Sequence, residues 1–483
     1  MLLSQLIHDS NCQRHQWRDA DIVAVTFDSR QVQRGTLFVA QVGTHVDGHA
    51  YIDRAVAAGA AAVVCQQLPA TLADGVVYLT TDNSSRMLGE VASAFYGHPS
   101  RRLKLVGITG TNGKTTTVTL LHALFRSRGE HTGLLSTIVN KIDDTVVPAT
   151  HTTPDAVELN ALLARMVEAG CRYCFMEVSS HAVVQQRIAG LTFAGGIFSN
   201  ITHDHLDFHK TMAAYIAAKK GFFDALPADA FALVNIDDRN GRVMVQNTAA
   251  KVYTYSLRQM ADFRCRLVDS SFDGLHLQLD GAEVWCRLVG RFNAYNLTAI
   301  YATAVLCGVE RAEALRMISA LEPAAGRFSL IQGNGINAVV DYAHTPDALD
   351  NVISTINDIR QPSQTLITVV GCGGDRDKTK RPEMAQIAAQ GSGRVILTSD
   401  NPRTEDPEAI LDDMETGLSA EMRKQVVRIS DRRSALRAAV MMAQPGDIIL
   451  VAGKGHETYQ EVNGVRHHFD DREEMVQLLN TNN

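Results

Sequence analysis

The chain has 483 residues, 45% hydrophobic and 20% charged, with a formal net charge of −7 and a pI of about 6.2, the composition of a globular protein long enough for roughly three domains. The mild acidity argues against a nucleic-acid or membrane-surface binder. No apolar run approaches the ~20 residues of a membrane span, and the opening MLLSQLIHDSNCQRHQW turns polar too early for a signal peptide, so a cytoplasmic protein without membrane insertion is expected.

Over 1–98, short apolar runs (Thr36 to Ala40, Ala60 to Cys65) alternate with helical stretches such as Tyr51 to Ala58, which predicts a small α/β unit. The turn residues of Tyr96-Gly97-His98-Pro99-Ser100 mark its end. A second block is expected over 99–325. It opens with a strand, Leu103 to Ile108, then a glycine-rich turn, then a helix on which Val118, Leu121 and Phe125 share one face. Apolar runs follow at Tyr173 to Val178, Gly196 to Ile201 and Phe231 to Val234, with helical stretches between several of them. That order predicts a mainly parallel sheet with covering helices. Cys171 and Cys174 have C-x-x-C spacing but no second pair at zinc-site spacing. They read as part of a buried strand in a reduced, cytosolic chain of eight scattered cysteines.

The third block, 326–483, has candidate strands at Ala338 to Val340, Leu366 to Val370, Val395 to Thr398 and Ile448 to Ala452. Each runs into a turn rich in Gly, Asp, Asn or Pro. Ligands of open α/β sheets gather at the carboxyl ends of strands, and the motifs below lie at such ends.

The sharpest local signal is Gly107-Ile-Thr-Gly110-Thr111-Asn112-Gly113-Lys114-Thr115-Thr116. Between a strand and a helix, its glycines turn backbone N–H groups onto phosphate oxygens, and the helix N-terminus adds favourable partial charge. Lys114 supplies a point charge and Thr115 a hydroxyl suited to Mg²⁺. The general pattern asks for glycine where Ile108 stands. Alone, this loop fits a kinase, a GTPase switch or a motor equally well.

The form Gly110-Thr-Asn-Gly113-Lys114-Thr115-Thr116 resembles the loop of the Mur ligases and of folylpolyglutamate synthase. Further Mur-type motifs follow in order: Glu177-Val-Ser179-Ser180-His181, Asn200-Ile-Thr-His-Asp204-His205-Leu206-Asp207, Tyr215-Ile-Ala-Ala-Lys219, Gly290-Arg-Phe-Asn293-Ala-Tyr-Asn296, Gly326-Arg327-Phe, Asp341-Tyr-Ala-His344-Thr-Pro346 and Gly453-Lys454-Gly455-His456-Glu457. The resemblance to the Mur ligases covers nearly the whole chain. It implies three α/β domains: a small N-terminal UDP-binding domain, a central phosphate-loop ATPase domain with a mainly parallel sheet, and a Rossmann-like C-terminal domain that takes the amino acid.

By residue type alone, Glu177 with His205 reads as structural and Lys219 as a solvated helix face. The resemblance reverses both. It implies Mg²⁺ sites at Thr115, Glu177 and His205, and a CO₂-carbamylated Lys219 that turns a cation into an oxygen ligand. It also implies catalytic roles for Lys114, Glu177, His205 and Lys219, and ATP contacts at Gly110, Thr111, Asn112, Gly113, Lys114, Thr115 and Thr116, with Asn296, Arg327 and Asp341. UDP-sugar and peptide contacts are implied at Ser29, Thr44, His45, Val46, His151, Thr152, Thr153, Ser179, Gln185 and Arg187. The turn Asp400-Asn401-Pro402-Arg403 resembles the diaminopimelate-adding members. Diaminopimelate ends in an amino-acid head that lysine lacks, and an arginine can grip its carboxylate through two hydrogen bonds. Arg376, Gly453 and Glu457 would complete that pocket.

The implied activity is ATP-dependent ligation of meso-diaminopimelate to UDP-N-acetylmuramoyl-L-alanyl-D-glutamate through an acyl phosphate, by a monomer. The alternatives are a lysine-adding homologue, a folylpolyglutamate-type ligase, a nucleotide switch that needs no amino acid, and an inactive binding module.

Overall fold

The structure is a computed structural model and describes residues 1–8, 10–43, 46–149, 151–202, 204, 206–323 and 326–480. It is α/β throughout, built on three main sheets.

The first sheet has five strands in the order Gln13–His15, Val77–Thr80, Ala60–Cys65, Thr36–Val39, Ala24–Thr26, parallel except for the first. Its side chains alternate between faces, as the two-residue period of a strand requires. Leu37, Val39, Ala62 and Val64 pack with Met87, Leu88 and Val91 of the helix Ser84–Phe95. Phe38 and Val63 pack the other way, with Ile52 and Ala55.

The central sheet has 11 strands. Lys104–Thr109 lies at its middle, parallel to Tyr173–Glu177 on one side and Gly195–Phe198 on the other. The chain first builds outward to Thr132–Leu135, returns to insert Tyr173–Glu177, then crosses to Gly195–Phe198 and continues outward through Phe231–Asn235 and Lys251–Ser256. Strand order therefore reverses at Lys104–Thr109, and such a reversal leaves a crevice at the strand's carboxyl end. Helices Lys114–Ser127 and Arg291–Leu306 cover one face; Ala156–Glu168 and Met212–Asp224 cover the other. Both margins are antiparallel: Asn140–Ile142 with Thr145–Val147, and Phe263–Ser271 with Gly274–Leu279 and Ala282–Cys286. The sequence reading foresaw neither margin. Phe263–Ser271 hides its inward period (Phe263 and Cys265 buried) among exposed arginines.

The third sheet has six strands in the order Ser329–Gly333, Ile336–Asp341, Ile448–Ala452, Leu366–Val370, Arg394–Leu397, Val426–Arg428, parallel after the first pair. A separate hairpin, Tyr459–Val462 with Val465–His468, lies against residue 403 through a bridge from Val462. Cys171 and Cys174 are free and buried, Cys174 within a strand. Among the described residues no helix is long and apolar enough to cross a membrane.

Candidate active site

The phosphate loop leaves the central strand and turns into the helix Lys114–Ser127 at Gly113, whose φ is +88°. A Cβ there would meet Asn296 Oδ1 at 2.4 Å, so the loop's backbone and Asn296 are in direct contact. Lys114 Nζ donates to the carbonyls of Gly110 (2.9 Å) and Thr111 (2.8 Å). Lys219, 1% exposed in the helix Met212–Asp224, donates to the same Gly110 carbonyl at 2.7 Å. Two lysine Nζ atoms thus converge on one oxygen. Burial, reinforced by Lys114 and opposed by Asp204, drives Lys219 well below the usual lysine range, toward the free amine. Burial lowers Lys114 as well, against the pull of Glu177 and Asp204.

Glu177 ends the strand Tyr173–Glu177 and is 1% exposed. Its Oε1 accepts from Thr115 Oγ1 and from the Thr137 amide, both at 2.8 Å, and its Oε2 accepts from Thr137 Oγ1 at 3.1 Å. Thr115 Oγ1 and Glu177 Oε1 are hard oxygen donors side by side, the chemistry that Mg²⁺ prefers. The same network runs on toward the expected peptide contacts. Thr137 Oγ1 pairs with Thr152 Oγ1 (3.1 Å), Thr153 Oγ1 donates to the Glu177 carbonyl (2.8 Å), and the Ser179 amide donates to Thr153 Oγ1 (3.2 Å). Arg187 Nη1 donates to the Thr153 carbonyl at 2.7 Å. His151 is exposed at the start of this loop, and Gln185 closes the short helix Ser180–Val184 that Ser179 caps. The structure therefore brings Thr152, Thr153, Ser179 and Arg187 to the metal-type carboxylate.

A cavity of about 460 Å³ opens beside the loop, lined by Asn112, Gly113, Thr116, Asn296, Arg327 and Asp341 among others. Asp341 Oδ2 accepts the Phe328 amide at 2.7 Å, and burial raises its carboxyl above the usual range against the opposing charge of Arg327. Arg327 Nη2 donates to Thr115 Oγ1 at 3.3 Å, and its guanidinium lies 4.9 Å over the Tyr342 ring. Thr111 pairs its hydroxyl with the Tyr215 phenol at 3.1 Å.

A second cavity, of about 390 Å³, lies at the carboxyl ends of the third sheet. Arg376, Asp400, Asn401, Arg403, Gly453 and Glu457 line it, with Asp204 of the central domain and His344 and Lys380. Arg403 adopts φ +53°, its amide donates to the Glu461 carbonyl (3.0 Å), and its Nη1 donates to the Gly374 carbonyl (2.7 Å). Asn401 Nδ2 donates to Glu457 Oε2 at 2.7 Å. Gly453 has φ +119°, and a Cβ there would meet Asp400 Oδ2 at 2.5 Å. Pro402 departs from the expectation. It is buried outside this lining, and its carbonyl accepts the Glu405 amide at 3.0 Å, so it shapes the turn that aims its neighbours.

Ser29 is buried after the strand Ala24–Thr26, and Val46 is 55% exposed. Among the described residues no hydrogen bond joins either to the Thr152–Ser179 network. Thr44, His45 and His205 lie outside the described residues. Sequence reasoning gave no role to Thr137, Asp204, Lys380 or Lys454. Thr137 carries no signal in its own neighbourhood, whereas Lys454, a lysine two residues past a buried apolar strand, was open to notice.

Three family models match the chain: Mur ligase family, catalytic domain, over 21–96; Mur ligase middle domain over 108–304; and Mur ligase, glutamate ligase domain, over 326–455. The chain is 58% identical to the UDP-N-acetylmuramoyl-L-alanyl-D-glutamate–2,6-diaminopimelate ligase of Cytophaga hutchinsonii, over 96% of both chains. It is 53% identical to the ligase of the same description in Bacteroides fragilis, again over 96% of both. A solved structure of a ligase so described superposes with a TM-score of 0.71 at 33% identity, covering 100% of this chain and 99% of the other. A MurF ligase of Thermotoga maritima in complex with ADP shares the fold at a TM-score of 0.60 and 18% identity, over 96% and 98% of the two chains.

Proposed function

The chain belongs to the Mur ligase family, and from that premise we propose that it adds meso-diaminopimelate to the D-glutamyl side-chain carboxylate of UDP-N-acetylmuramoyl-L-alanyl-D-glutamate at the expense of ATP. The reaction belongs to cytoplasmic peptidoglycan precursor synthesis, and the chain acts as a monomer. The observation that carries the reading is the cavity that reaches from Asp204 to Arg403 and Glu457. Asp204 also acts electrostatically on Lys114 and Lys219. A nucleophile held in that cavity would share Asp204 as a neighbour with the lysines of the phosphate loop.

The γ-phosphoryl group of ATP passes to the carboxylate, giving an acyl phosphate; the amine of diaminopimelate attacks the acyl carbon, and phosphate leaves. The loop amides and Lys114 bind and neutralise the phosphates, Asn296 and Asp341 take the adenine and ribose, and Arg327 a phosphate. Thr115 and Glu177, with His205 and a carbamylated Lys219, would hold Mg²⁺. When bound, Mg²⁺ offsets the charge shared by the two reacting anions. The depressed Lys219 fits carbamylation, because only the free amine attacks CO₂. Thr152, Thr153, Ser179, Gln185 and Arg187, with His151, orient the peptide arm, and Ser29, Thr44, His45 and Val46 the UDP-sugar end. Arg403 and Arg376 grip the distal carboxylate of diaminopimelate, and Glu457 pairs with the distal ammonium, in the turn of Asp400, Asn401 and Pro402 against Gly453.

The test is amino-acid-dependent phosphate release with ATP, Mg²⁺ and UDP-N-acetylmuramoyl-L-alanyl-D-glutamate. Release with meso-diaminopimelate alone is expected. Release with L-lysine alone would overturn the role of Arg403, and release indifferent to the amino acid would point to a nucleotide switch.

A further inference from the structure

A carboxylate in the position of Glu457 is hard to keep charged. Burial and the neighbouring Asp400 both push it above the usual glutamate range, and the charge of Lys454 pulls it back down. Lys454 lies two residues past the end of the strand Ile448–Ala452 and is 0% exposed. An unpaired buried ammonium would cost several kcal/mol. Here Nζ donates to Glu457 Oε2 (3.2 Å), to Asn401 Oδ1 (3.3 Å) and to the Tyr459 carbonyl. Asn401 Nδ2 donates to that same Oε2. Both contacts fall on Oε2, which leaves Oε1 for a ligand in the cavity that Glu457 and Asn401 line. Lys454 itself is not among the lining residues.

The network also reaches the opposite wall. Asn401 Oδ1 accepts the Glu461 amide at 2.8 Å, and the Glu461 carbonyl accepts the Arg403 amide at 3.0 Å. Lys454 therefore fixes Glu457 and Arg403 in one frame. A lysine that merely tied the hairpin Tyr459–Val462 to the sheet would need only the Tyr459 carbonyl; two of its three acceptors are instead side chains of the pocket.

Building on the function above, we propose that Lys454 is a positioning residue for the amino-acid substrate: it holds Glu457 as an oriented carboxylate, with Oε1 presented to the distal ammonium at a fixed distance from the arginine that takes the distal carboxylate. Among the described residues, the charged groups acting on or sharing the cavity with Glu457 include Asp400, the buried Arg432, Arg466 of the hairpin, and Arg376 and Arg403. Burial keeps the phenols of Tyr342, pushed up to about 12, and Tyr459 neutral.

The experiment first traps acyl phosphate with hydroxylamine and measures diaminopimelate-dependent phosphate release in the unaltered protein; failure there counts against the functional reading, not against Lys454. The pH dependence of kcat and KM for meso-diaminopimelate is then measured for Lys454→Met, Lys454→Arg, Glu457→Gln and the double variant Lys454→Met/Glu457→Gln. Lys454→Met is expected to raise KM by about tenfold with a smaller change in kcat. It also moves the acid limb of kcat/KM to higher pH, because Glu457 loses the cation that opposes its protonation. Lys454→Arg keeps the limb near its original position, and the double variant is no worse than Glu457→Gln. A folded Lys454→Met with unchanged KM and pH profile overturns the proposal, as do effects that multiply in the double variant. If Lys454→Met does not fold, Lys454→Gln, which keeps a donor for Tyr459 without the charge, carries the same expectations. A Lys454→Gln that also fails to fold overturns the proposal in favour of a purely structural lysine.

Discussion

The two ends of the active cleft handle buried charge in opposite ways. At the phosphate loop, Lys114 and Lys219 crowd one carbonyl oxygen, and burial together with the neighbouring Lys114 depresses Lys219. At the amino-acid pocket, Lys454 lies against Glu457, and behind it Arg432 and Asp471, both 0% exposed, form a two-bond ion pair (Nε to Oδ1 2.7 Å, Nη2 to Oδ2 2.6 Å). Arg432 also donates to the carbonyls of Ser399 and Ala452, each one residue before a pocket residue. The first end sets two lysines against one carbonyl oxygen and leaves Lys219 without a carboxylate partner within hydrogen-bond reach among the described residues. The second pairs each of its buried cations, Lys454 and Arg432, with a carboxylate. Damage to the first should cost turnover, and damage to the second should cost stability or amino-acid affinity.

The largest expected effect tests the second end. Asp471→Ala leaves Arg432 buried without its partner and should cost about 3–5 kcal/mol of stability, read by urea or thermal unfolding. A loss below about 1 kcal/mol would break the contrast. Lys219→Ala should lower kcat by about 10²–10³-fold with unfolding close to that of the parent, and a short carboxylate should restore part of the rate; full activity would remove Lys219 from the mechanism. Arg403→Ala should weaken diaminopimelate by about 1.5–3 kcal/mol, seen as a raised KM with ATP parameters unchanged. Thr137→Val removes one hydrogen bond to Glu177 Oε2 while the backbone bond to Oε1 remains. It should cost about 1 kcal/mol in kcat/KM, the mildest of the four effects.

Contiguous chemistry was legible in the sequence. The phosphate loop carries strand, glycines, Lys114 and helix start in one stretch, because backbone amides can wrap a phosphate only from consecutive residues. The strands Ala60–Cys65, Leu366–Val370 and Ile448–Ala452 were equally plain, since strands buried on both faces read as unbroken apolar runs. Chemistry assembled across the chain was not legible. Thr137 meets Glu177 across 40 positions and Lys454 meets Asn401 across 53, with nothing in either local sequence to announce the partner.

What the sequence determined alone is the fold class, through local periodicity, and the family, through the resemblance of its ordered motifs, along with the loop and turn proposed to bind phosphate and select the amino acid. What only the tertiary structure decided is charge. The same residue type, lysine, becomes a depressed amine at 219 and part of a buried ion pair at 454. The reason is physical: a side chain's protonation and orientation depend on desolvation and on neighbours within a few ångströms, and folding chooses those neighbours from all along the chain.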